Sequence, residues 1–245
     1  MLAIMGGTGL TQLSNLEIVR REVARTPYGE PSGALTFGSL AGRQVVFLAR
    51  HGYGHTIPPH LVNYRANIWA LKHAKATALV SVASVGGIRA DLEPGVLVVP
   101  DQIIDYTWGR KNTYFDGGDE PVRHIDLTHP YDAALRQRLL TAAARAGEGA
   151  VDGGVYAVTQ GPRLETAAEV NKLERDGADV IGMTAMPEAA LARELDLPYA
   201  AINVVVNAAA GRASSAEGIR FERIEDVVQE SMGRVRHILE ALCQD

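Results

Sequence analysis

Several side chains that can do chemistry lie between Thr159 and Glu194, each beside a predicted helix start. A Gly-Pro turn precedes Glu165, which lies at the mouth of a helical pattern. A short apolar strand, Val180 to Met183, precedes the hydroxyl of Thr184, and Pro187 suits the first turn of a second helix. Backbone N–H groups at the amino ends of helices favour anions. The segment therefore predicts a site where a carboxylate and a hydroxyl lie beside anion-binding backbone.

A second group of candidate anion ligands follows the predicted strand from Gln44 to Leu48. Arg50 offers a planar fork of donors that suits phosphate oxygens, and the adjacent His51 can add another donor. Most Arg-His pairs are surface residues. This pair directly follows a strand of the buried type, which favours an anion site.

Two further strands lead into glycine-rich stretches. Leu2 to Met5 is followed by GGTG, where the hydroxyl of Thr8 can donate to a phosphate, although a tight turn without a ligand fits equally well. Ala78 to Ser84 leads into SVGG, a predicted turn whose backbone N–H groups can meet the same anion. A dinucleotide-binding loop is a poor fit, because Gln12 occupies the place of its third glycine.

The elements that must position these groups alternate between strand and helix along the chain. Helical patterns begin at Val62, cover Ala133 to Ala146 and end the chain from Ile224. The long apolar strand Tyr199 to Val206 stops at Asn207, and open α/β sheets bind ligands at such strand ends. Alternation of this kind predicts a single α/β domain over residues 1–245, with a twisted mixed β-sheet flanked by helices.

Composition excludes several other classes of protein. The formal net charge is −5 and no basic stripe is visible, which argues against nucleic acid as a partner. The one cysteine, Cys243, excludes an intrachain disulfide framework. We see no signal-peptide pattern and no membrane-length apolar run, and therefore expect a soluble cytoplasmic protein with no membrane partner. His124 and His129 lie in the long aperiodic segment Thr107 to Pro130 and lack a partner cluster, so no metal site is expected.

The motifs GPRLET and GMTAMPE together resemble those of the trimeric purine nucleoside phosphorylases and methylthioadenosine phosphorylases. The resemblance extends through GGTGL, LARHG, HTIPPHLVNYRANIWAL, PDQIIDYT and YAAINVVVN, which cover nearly the whole chain. It implies one α/β domain assembled as a homotrimer, with no cofactor, in which inorganic phosphate as co-substrate reversibly cleaves a purine nucleoside. Carried across by position, it implies a phosphate site made of Thr8, Arg50, His51, Ser84 and Thr184. It also places Met183 under the ribose, Leu164 beside the substrate, and His124 in the neighbouring subunit's site.

The base pocket departs from the methylthioadenosine pattern. That branch resembles GPRFSS and has aspartates after its last strand, whereas this chain has Glu165, Asn207 and Ala209. Glu165 and Asn207 resemble the inosine- and guanosine-cleaving members and are the expected catalytic residues. An ionised Glu165 can accept the N1–H of a 6-oxopurine but repels the N1 lone pair of adenine, and unpaired buried polar groups reject the wrong base strongly. Asn207 decides less, because an amide can turn either end towards the base.

The sugar end of the predicted site favours a different substituent from inosine. Inosine-cleaving members use a late-loop histidine for the 5′-hydroxyl, but residues 211–226 contain none and offer Ile219 and Phe221. An apolar wall favours a methylthio group over a hydroxyl without a partner. The two ends together describe 5′-methylthioinosine, for which the family includes a phosphorylase. General purine nucleoside phosphorolysis and methylthioadenosine phosphorolysis stay open as alternatives. A water-using nucleosidase and a nucleoside-binding protein without turnover are the rival classes.

Overall fold

Eleven strands and five α-helices form in residues 1–117 and 121–244, which the computed structural model describes. The strands are β1 (Leu2–Gly6), β2 (Glu17–Glu22), β3 (Leu35–Leu40), β4 (Arg43–Ala49), β5 (Ala78–Gly87), β6 (Leu97–Val99), β7 (Gln102–Asp105), β8 (Val151–Asp152), β9 (Val155–Val158), β10 (Val180–Gly182) and β11 (Tyr199–Ala208). The helices are α1 (Tyr64–His73), α2 (Ala133–Arg145), α3 (Ala167–Arg175), α4 (Ala185–Glu194) and α5 (Phe221–Cys243). The predicted α/β class is confirmed.

The strands form one mixed sheet in which β5 is the central element. The main path runs β2-β3-β4-β1-β5-β10-β9-β7, and β11 pairs with the other edge of β5 and leads to β6 and β8. β1 is parallel to β4 and β5, and β11 is parallel to β5, whereas β10 runs antiparallel to β5. Covered on both faces, β5 and β11 read as nearly continuous apolar runs.

Helices cover the two faces of this sheet, and side chains on β11 alternate between them. Ala201 and Val205 belong to the cluster that includes residues of α1 and α4, whereas Ile202 and Val204 belong to the cluster packed by α2 and α5. This period of two is the geometry of a strand buried on both sides. Among the described residues, none of the helices has both the length and the apolar character required to cross a bilayer.

Local capping signals determine where the helices near the cavity start. Asn63 accepts a hydrogen bond from the N–H of Ala66 at the start of α1. A reciprocal capping box between Thr166 and Glu169 begins α3 directly after Glu165. In α4, Met186 has non-helical φ and ψ angles, so regular helix begins at Pro187, as the sequence predicts.

The structure corrects one prediction about the glycine-rich stretches and adds three strands. Residues 84–87 are not a turn, because β5 continues through Gly87 and its backbone pairs with β10 and β11. Gly87 is required for packing, since a Cβ there would lie 2.1 Å from the carbonyl oxygen of Leu92. β2, β3 and β8 were not predicted, and every residue of β2 is exposed and its sequence, EIVRRE, is mostly charged.

Candidate active site

The ends of several strands surround a cavity of about 610 Å³. The cavity is lined by ten of the eleven predicted site residues, namely Thr8, Arg50, His51, Ser84, Leu164, Glu165, Met183, Thr184, Asn207 and Ile219. Most follow or end parallel strands, whose carboxyl ends share one edge of the sheet. β10 reaches the same edge from the opposite direction, because its pairing of Ile181 with Gly86 directs Met183 and Thr184 back towards Ser84.

Arg50 lies at the floor of the cavity in a fully buried ion pair. Its guanidinium binds both carboxylate oxygens of Glu188 and donates to Ser81 Oγ at 2.6 Å and to the carbonyl oxygen of Val82 at 3.0 Å. Burial opposes its charge, but the Glu188 carboxylate outweighs that effect and leaves the pKa of Arg50 raised. Four of its five N–H groups are therefore engaged, and the open fork expected from the sequence is reduced to one N–H on Nη1.

Gly7 makes room for this arrangement of Arg50. A Cβ at Gly7 would lie 2.6 Å from Arg50 Nη1 and 2.8 Å from the carbonyl oxygen of Val82. Any side chain at this position would displace the guanidinium. Glycine is therefore needed in the stretch after β1 for packing, whether or not a ligand is bound there.

His51 lies beside Arg50, and its hydrogen bond determines which ring nitrogen carries a proton. Nδ1 donates to the carbonyl oxygen of Ile57 at 2.8 Å, because a carbonyl can only accept. Burial and the positive charge of Arg50 lower the pKa of His51 to about 4. The ring is therefore neutral near pH 7 and Nε2 holds a lone pair. The expected additional ring donor to the anion is not present in this ionisation state.

His55 is a cavity residue that the sequence analysis leaves unassigned. Its Nε2 lies 3.0 Å from Thr8 Oγ1, and its ring packs against that of His51 with centroids 4.8 Å apart. If His55 donates to Thr8, the hydroxyl proton of Thr8 stays free for an oxyanion in the cavity. The available signal was its position four residues after His51, which the sequence predicts to lie at an anion site.

Glu165 is a carboxylate that lines the cavity, and it lies in the turn before α3. Its Oε1 accepts a hydrogen bond of 2.6 Å from Thr159 Oγ1. Burial raises the pKa of Glu165 above its ordinary value, and the hydrogen bond from Thr159 opposes this shift only in part. The second carboxylate oxygen has no hydrogen bond among the described residues and is free to accept one.

Asn207 reaches the cavity from β11 at a break in the strand register. Val205 pairs with Val85 and Asn207 pairs with Gly86, so one residue of β11 is bulged out just before Asn207. The side-chain Nδ2 donates to the carbonyl oxygen of Ala208 at 2.7 Å. That bond leaves Oδ1 as the group free to accept a proton donor from a ligand.

Met183 and Thr184 form the turn between β10 and α4. The Thr184 side chain is buried and makes no capping hydrogen bond, although Thr184 is the N-cap of α4. Its hydroxyl lies within hydrogen-bonding reach of the buried Tyr156 hydroxyl, and Thr184 also lines the cavity. Met183 Sδ packs so closely on Gly161 that a Cβ there would lie 2.4 Å away, which brings this turn against the Gly-Pro turn.

Apolar side chains form another part of the cavity wall. Ile219 lines it together with Phe221 and Ile224 from the start of α5. Phe221 is 64% exposed in the single chain. His124, the eleventh predicted residue, is exposed and does not line the cavity of its own chain. Within residues 1–117 and 121–244, no group of three or more His, Cys, Asp or Glu side chains is arranged to hold a metal ion.

Comparison of the sequence with known families identifies one match over almost its full length. The model described as "Phosphorylase superfamily" matches residues 1–244. A curated relative from Pseudomonas syringae pv. tomato, named probable S-methyl-5′-thioinosine phosphorylase, is 54% identical over 97% of this chain and 96% of its own. The 6-oxopurine nucleoside phosphorylase of Pyrococcus furiosus is 43% identical over 98% of this chain and 91% of its own.

Solved structures show the same architecture. Methylthioadenosine phosphorylase from Schistosoma mansoni, in complex with adenine, superposes with a TM-score of 0.94. The two proteins are 32% identical, and the match covers 99% of this chain and 90% of the other. Adenine is therefore the base in a structurally similar protein, whereas the more similar sequences carry 6-oxopurine or thioinosine names.

Proposed function

This chain belongs to the phosphorylase superfamily, and we propose that it cleaves the N-glycosidic bond of a 6-oxopurine nucleoside with inorganic phosphate. The preferred nucleoside is 5′-methylthioinosine, and the products are hypoxanthine and 5-methylthioribose 1-phosphate. The observation that carries this proposal is the carboxylate of Glu165, half-buried in the cavity and with one oxygen free to accept a hydrogen bond. The names of the relatives at 54% and 43% identity support the same class of base.

The base end of the proposed complex is recognised by complementary donors and acceptors. Glu165 accepts the N1–H of hypoxanthine through its free oxygen. Asn207 Oδ1 accepts a proton carried on N7, because the Asn207 amide nitrogen is already bound to a carbonyl. Adenine has no N1–H, so it would leave the Glu165 carboxylate facing a lone pair, and such mismatches at buried groups cost strongly.

The sugar end of the proposed complex lies against apolar side chains. Ile219, Phe221 and Ile224 offer no hydrogen-bond partner to a 5′-hydroxyl. A methylthio group has no such requirement and gains from contact with apolar surface. Met183 packs under the ribose in this arrangement, and Leu164 adds to the apolar lining.

The phosphate end relies on directed donors more than on net charge. Thr8, Thr184 and the remaining N–H of Arg50 donate to phosphate oxygens, while Ser84 lines the same part of the cavity. Glu188 balances the charge of Arg50. His51 Nε2 can accept a hydrogen bond from a protonated phosphate oxygen. No metal or cofactor is part of the proposed reaction.

The chemical step transfers the pentosyl group from nitrogen to oxygen. A phosphate oxygen approaches C1′ while the C1′–N9 bond breaks, and the bonding electrons leave with the purine. The sugar passes through an oxocarbenium-like state, which the phosphate anion stabilises. Negative charge that develops on the purine is neutralised when N7 takes up a proton from solvent, and Asn207 Oδ1 accepts a hydrogen bond from the resulting N7–H, so the base leaves as neutral hypoxanthine. Glu165 holds the base in position by accepting N1–H.

Assembly and setting complete the proposal. We expect a homotrimer in which the exposed His124 reaches the site of the neighbouring subunit, since cyclic symmetry closes contacts of that kind. The proposed setting is purine salvage in the cytoplasm.

A substrate panel with and without phosphate tests the proposal. Purified protein is assayed with methylthioinosine, methylthioadenosine, inosine and guanosine, and release of base is followed in each case. We expect phosphate-dependent release of hypoxanthine, with the highest kcat/KM on methylthioinosine. Release of base without phosphate would identify a nucleosidase. Binding of nucleoside without turnover would identify a binding protein.

A further inference from the structure

Arg110 lies in the long aperiodic segment after β7 and is not among the residues that line the cavity. We propose that Arg110 is a positioning residue, which holds the base-side turn and the phosphate-side turn of the site in register. The base-side turn comprises residues 159–165, and the phosphate-side turn comprises residues 183–186. The inference rests on the proposed function for its assay, but its structural basis is independent of it.

The hydrogen bonds of Arg110 join these two turns directly. On the base side, Nη2 donates to the carbonyl oxygens of Thr159 and Gln160 at 3.2 and 2.9 Å, and Nε donates to Gln160 Oε1 at 3.2 Å. On the phosphate side, Nη1 donates to the carbonyl oxygens of Met183 and Met186 at 2.8 and 2.6 Å. One rigid guanidinium thus spans both turns, which the chain itself connects only through α3 and β10.

The carbonyls that Arg110 binds belong to residues next to the proposed catalytic groups. Thr159 donates to the Glu165 carboxylate through its side chain while its backbone accepts from Arg110. Met183 precedes Thr184, and both line the cavity. A shift of either turn would therefore move a group that contacts the substrate.

Tyr64 extends the same connection to a third wall of the cavity. Its hydroxyl lies 3.1 Å from Arg110 Nη1, where it shares one of the two Nη1 hydrogens with a backbone carbonyl, and it donates to the carbonyl oxygen of Pro59 at 2.8 Å. Pro59 lines the cavity in the loop that follows His55. The Arg110 guanidinium also lies 5.2 Å from the centre of the Tyr64 ring. The arginine consequently contacts, directly or through one hydroxyl, three separate segments of the wall.

Lysine cannot replace this contact pattern. A guanidinium presents five N–H groups in a fixed plane, whereas an ammonium is a single point with three rotatable donors. Arg110 also forms no ion pair with a carboxylate in the part of the chain that the structure describes, so its contacts are to backbone carbonyls, an amide and a hydroxyl. Such contacts specify geometry, and geometry is what the site requires: a misplacement of about 1 Å can cost about 100-fold in rate.

The test compares Arg110→Ala and Arg110→Lys with a matched arginine elsewhere. Arg136 also donates to two backbone carbonyls, those of Val99 and Pro100, but is not a cavity residue. For Arg110→Ala we expect kcat to fall about 100-fold and the ratio of kcat/KM for methylthioinosine over methylthioadenosine to shrink. Arg110→Lys should recover little of either quantity. Arg136→Ala should keep both, after correction for any loss of folded protein measured by thermal melting.

Added guanidinium chloride, at concentrations well below those that unfold the protein, distinguishes positioning from mere stability. It should raise kcat of Arg110→Ala in a saturable manner and should leave Arg136→Ala unchanged. Tyr64→Phe provides a milder variant that removes the hydroxyl between Arg110 and Pro59 but leaves the Arg110 contacts to the two turns, and it should lower kcat without changing the base preference. Tyr131→Phe is its control, because the buried hydroxyl of Tyr131 has no hydrogen-bond partner in the structure.

The outcomes separate this inference from the proposed function. A wild-type protein without phosphate-dependent cleavage overturns the proposed function and the inference together. An active wild type whose Arg110→Ala variant keeps its kcat and base preference overturns the inference alone. Loss of activity that follows loss of folded protein, without rescue by guanidinium, also overturns it.

Discussion

Replacing Glu165 with glutamine keeps the shape of the side chain but changes the hydrogen bonds that it offers to the base. In the wild type, Thr159 Oγ1 donates to one carboxylate oxygen, so the other oxygen is available to N1–H. In Glu165→Gln, the amide oxygen is the only acceptor and takes the Thr159 hydrogen bond. The amide nitrogen then faces N1, and a 6-oxopurine presents donor to donor.

The expected loss follows from the burial of these groups. A hydrogen bond to a charged group contributes about 1.5–3 kcal/mol. Since about 1.4 kcal/mol is a factor of ten, the variant should lose about 10- to 100-fold in kcat/KM on methylthioinosine. Adenine has a lone pair at N1 that the new amide can satisfy. Activity on methylthioadenosine should therefore rise or stay constant. The ratio of kcat/KM for methylthioinosine over methylthioadenosine should fall by more than kcat/KM changes on either substrate alone.

The assay measures kcat/KM on methylthioinosine, methylthioadenosine and inosine at saturating phosphate. A double variant, Thr159→Val with Glu165→Gln, serves as the control, because without the threonine hydroxyl the amide can rotate and present its oxygen to N1–H. It should regain part of the activity on methylthioinosine. The reasoning is refuted if the wild type prefers methylthioadenosine, or if Glu165→Gln leaves the ratio of the two substrates unchanged.

Five further predictions concern individual groups of the site. Because burial raises the pKa of Glu165, lowering the pH should protonate it earlier than an ordinary glutamate, so selectivity for methylthioinosine over methylthioadenosine should fall in acid; a pH-independent ratio would contradict this. Thr184→Ala should raise the phosphate KM about tenfold, because it removes a cavity hydroxyl that can donate to phosphate, and an unchanged phosphate KM would contradict that role. Arg50→Ala should raise the phosphate KM. It should also lower the free energy of unfolding by about 3–5 kcal/mol, since it leaves the buried Glu188 carboxylate without its arginine. A variant as stable as the wild type would contradict a stabilising ion pair between Arg50 and Glu188. Ile219→His should shift preference towards inosine without changing the base, as kcat/KM on both substrates will show. His124→Ala should lower activity while a trimer persists in sedimentation, and a fully active wild-type monomer would refute its role across subunits.

The positions of Arg50, Thr184 and Asn207 could be predicted because each depends on local sequence. An apolar run predicts a strand, and a polar residue at or just beyond its carboxyl end lies at the sheet edge. β11 continues through Asn207 to Ala208, two residues past its predicted end. The starts of α3 and α4 also depend on local sequence, since the Thr166–Glu169 capping box and Pro187 each act within one helical turn. The α/β class followed from alternation of these elements along the chain.

The local sequence does not show whether a glycine-rich stretch forms a turn or a closely packed strand. The stretch SVGG after Ala83 fits a turn, but it is part of β5, and Gly87 is required there for close packing against Leu92. A glycine can serve backbone conformation or close approach, and only the neighbours decide between them. β2 was missed for a related reason, because a fully exposed, charged edge strand carries no apolar alternation to detect.

Contacts between residues far apart in the sequence could not be predicted either. Arg50 and Glu188 are 138 residues apart, and Arg110 is 73 residues from Met183. Both arginines come after strands in loops expected to be functional, which is the only signal the sequence carries. Whether a guanidinium faces a ligand, a carboxylate or a set of carbonyls depends on packing of elements that are brought together only in the folded chain.

The different partners of these two arginines explain how one cavity can bind a nucleoside and an anion together. Glu188 balances Arg50 in a buried pair, so the floor of the cavity carries little net charge beside the Glu165 carboxylate. A strongly positive floor would favour phosphate but would also attract Glu165 away from the base, since Coulomb attraction is long-ranged where water is excluded. Directed donors from Thr8, Thr184 and the remaining Arg50 N–H avoid that conflict, because a hydrogen bond acts only at its own distance and angle. Donors of this kind must be held in place to be effective, and Arg110 binds the carbonyl oxygens of Met183 and Met186 on either side of Thr184, the donor on the phosphate-side turn.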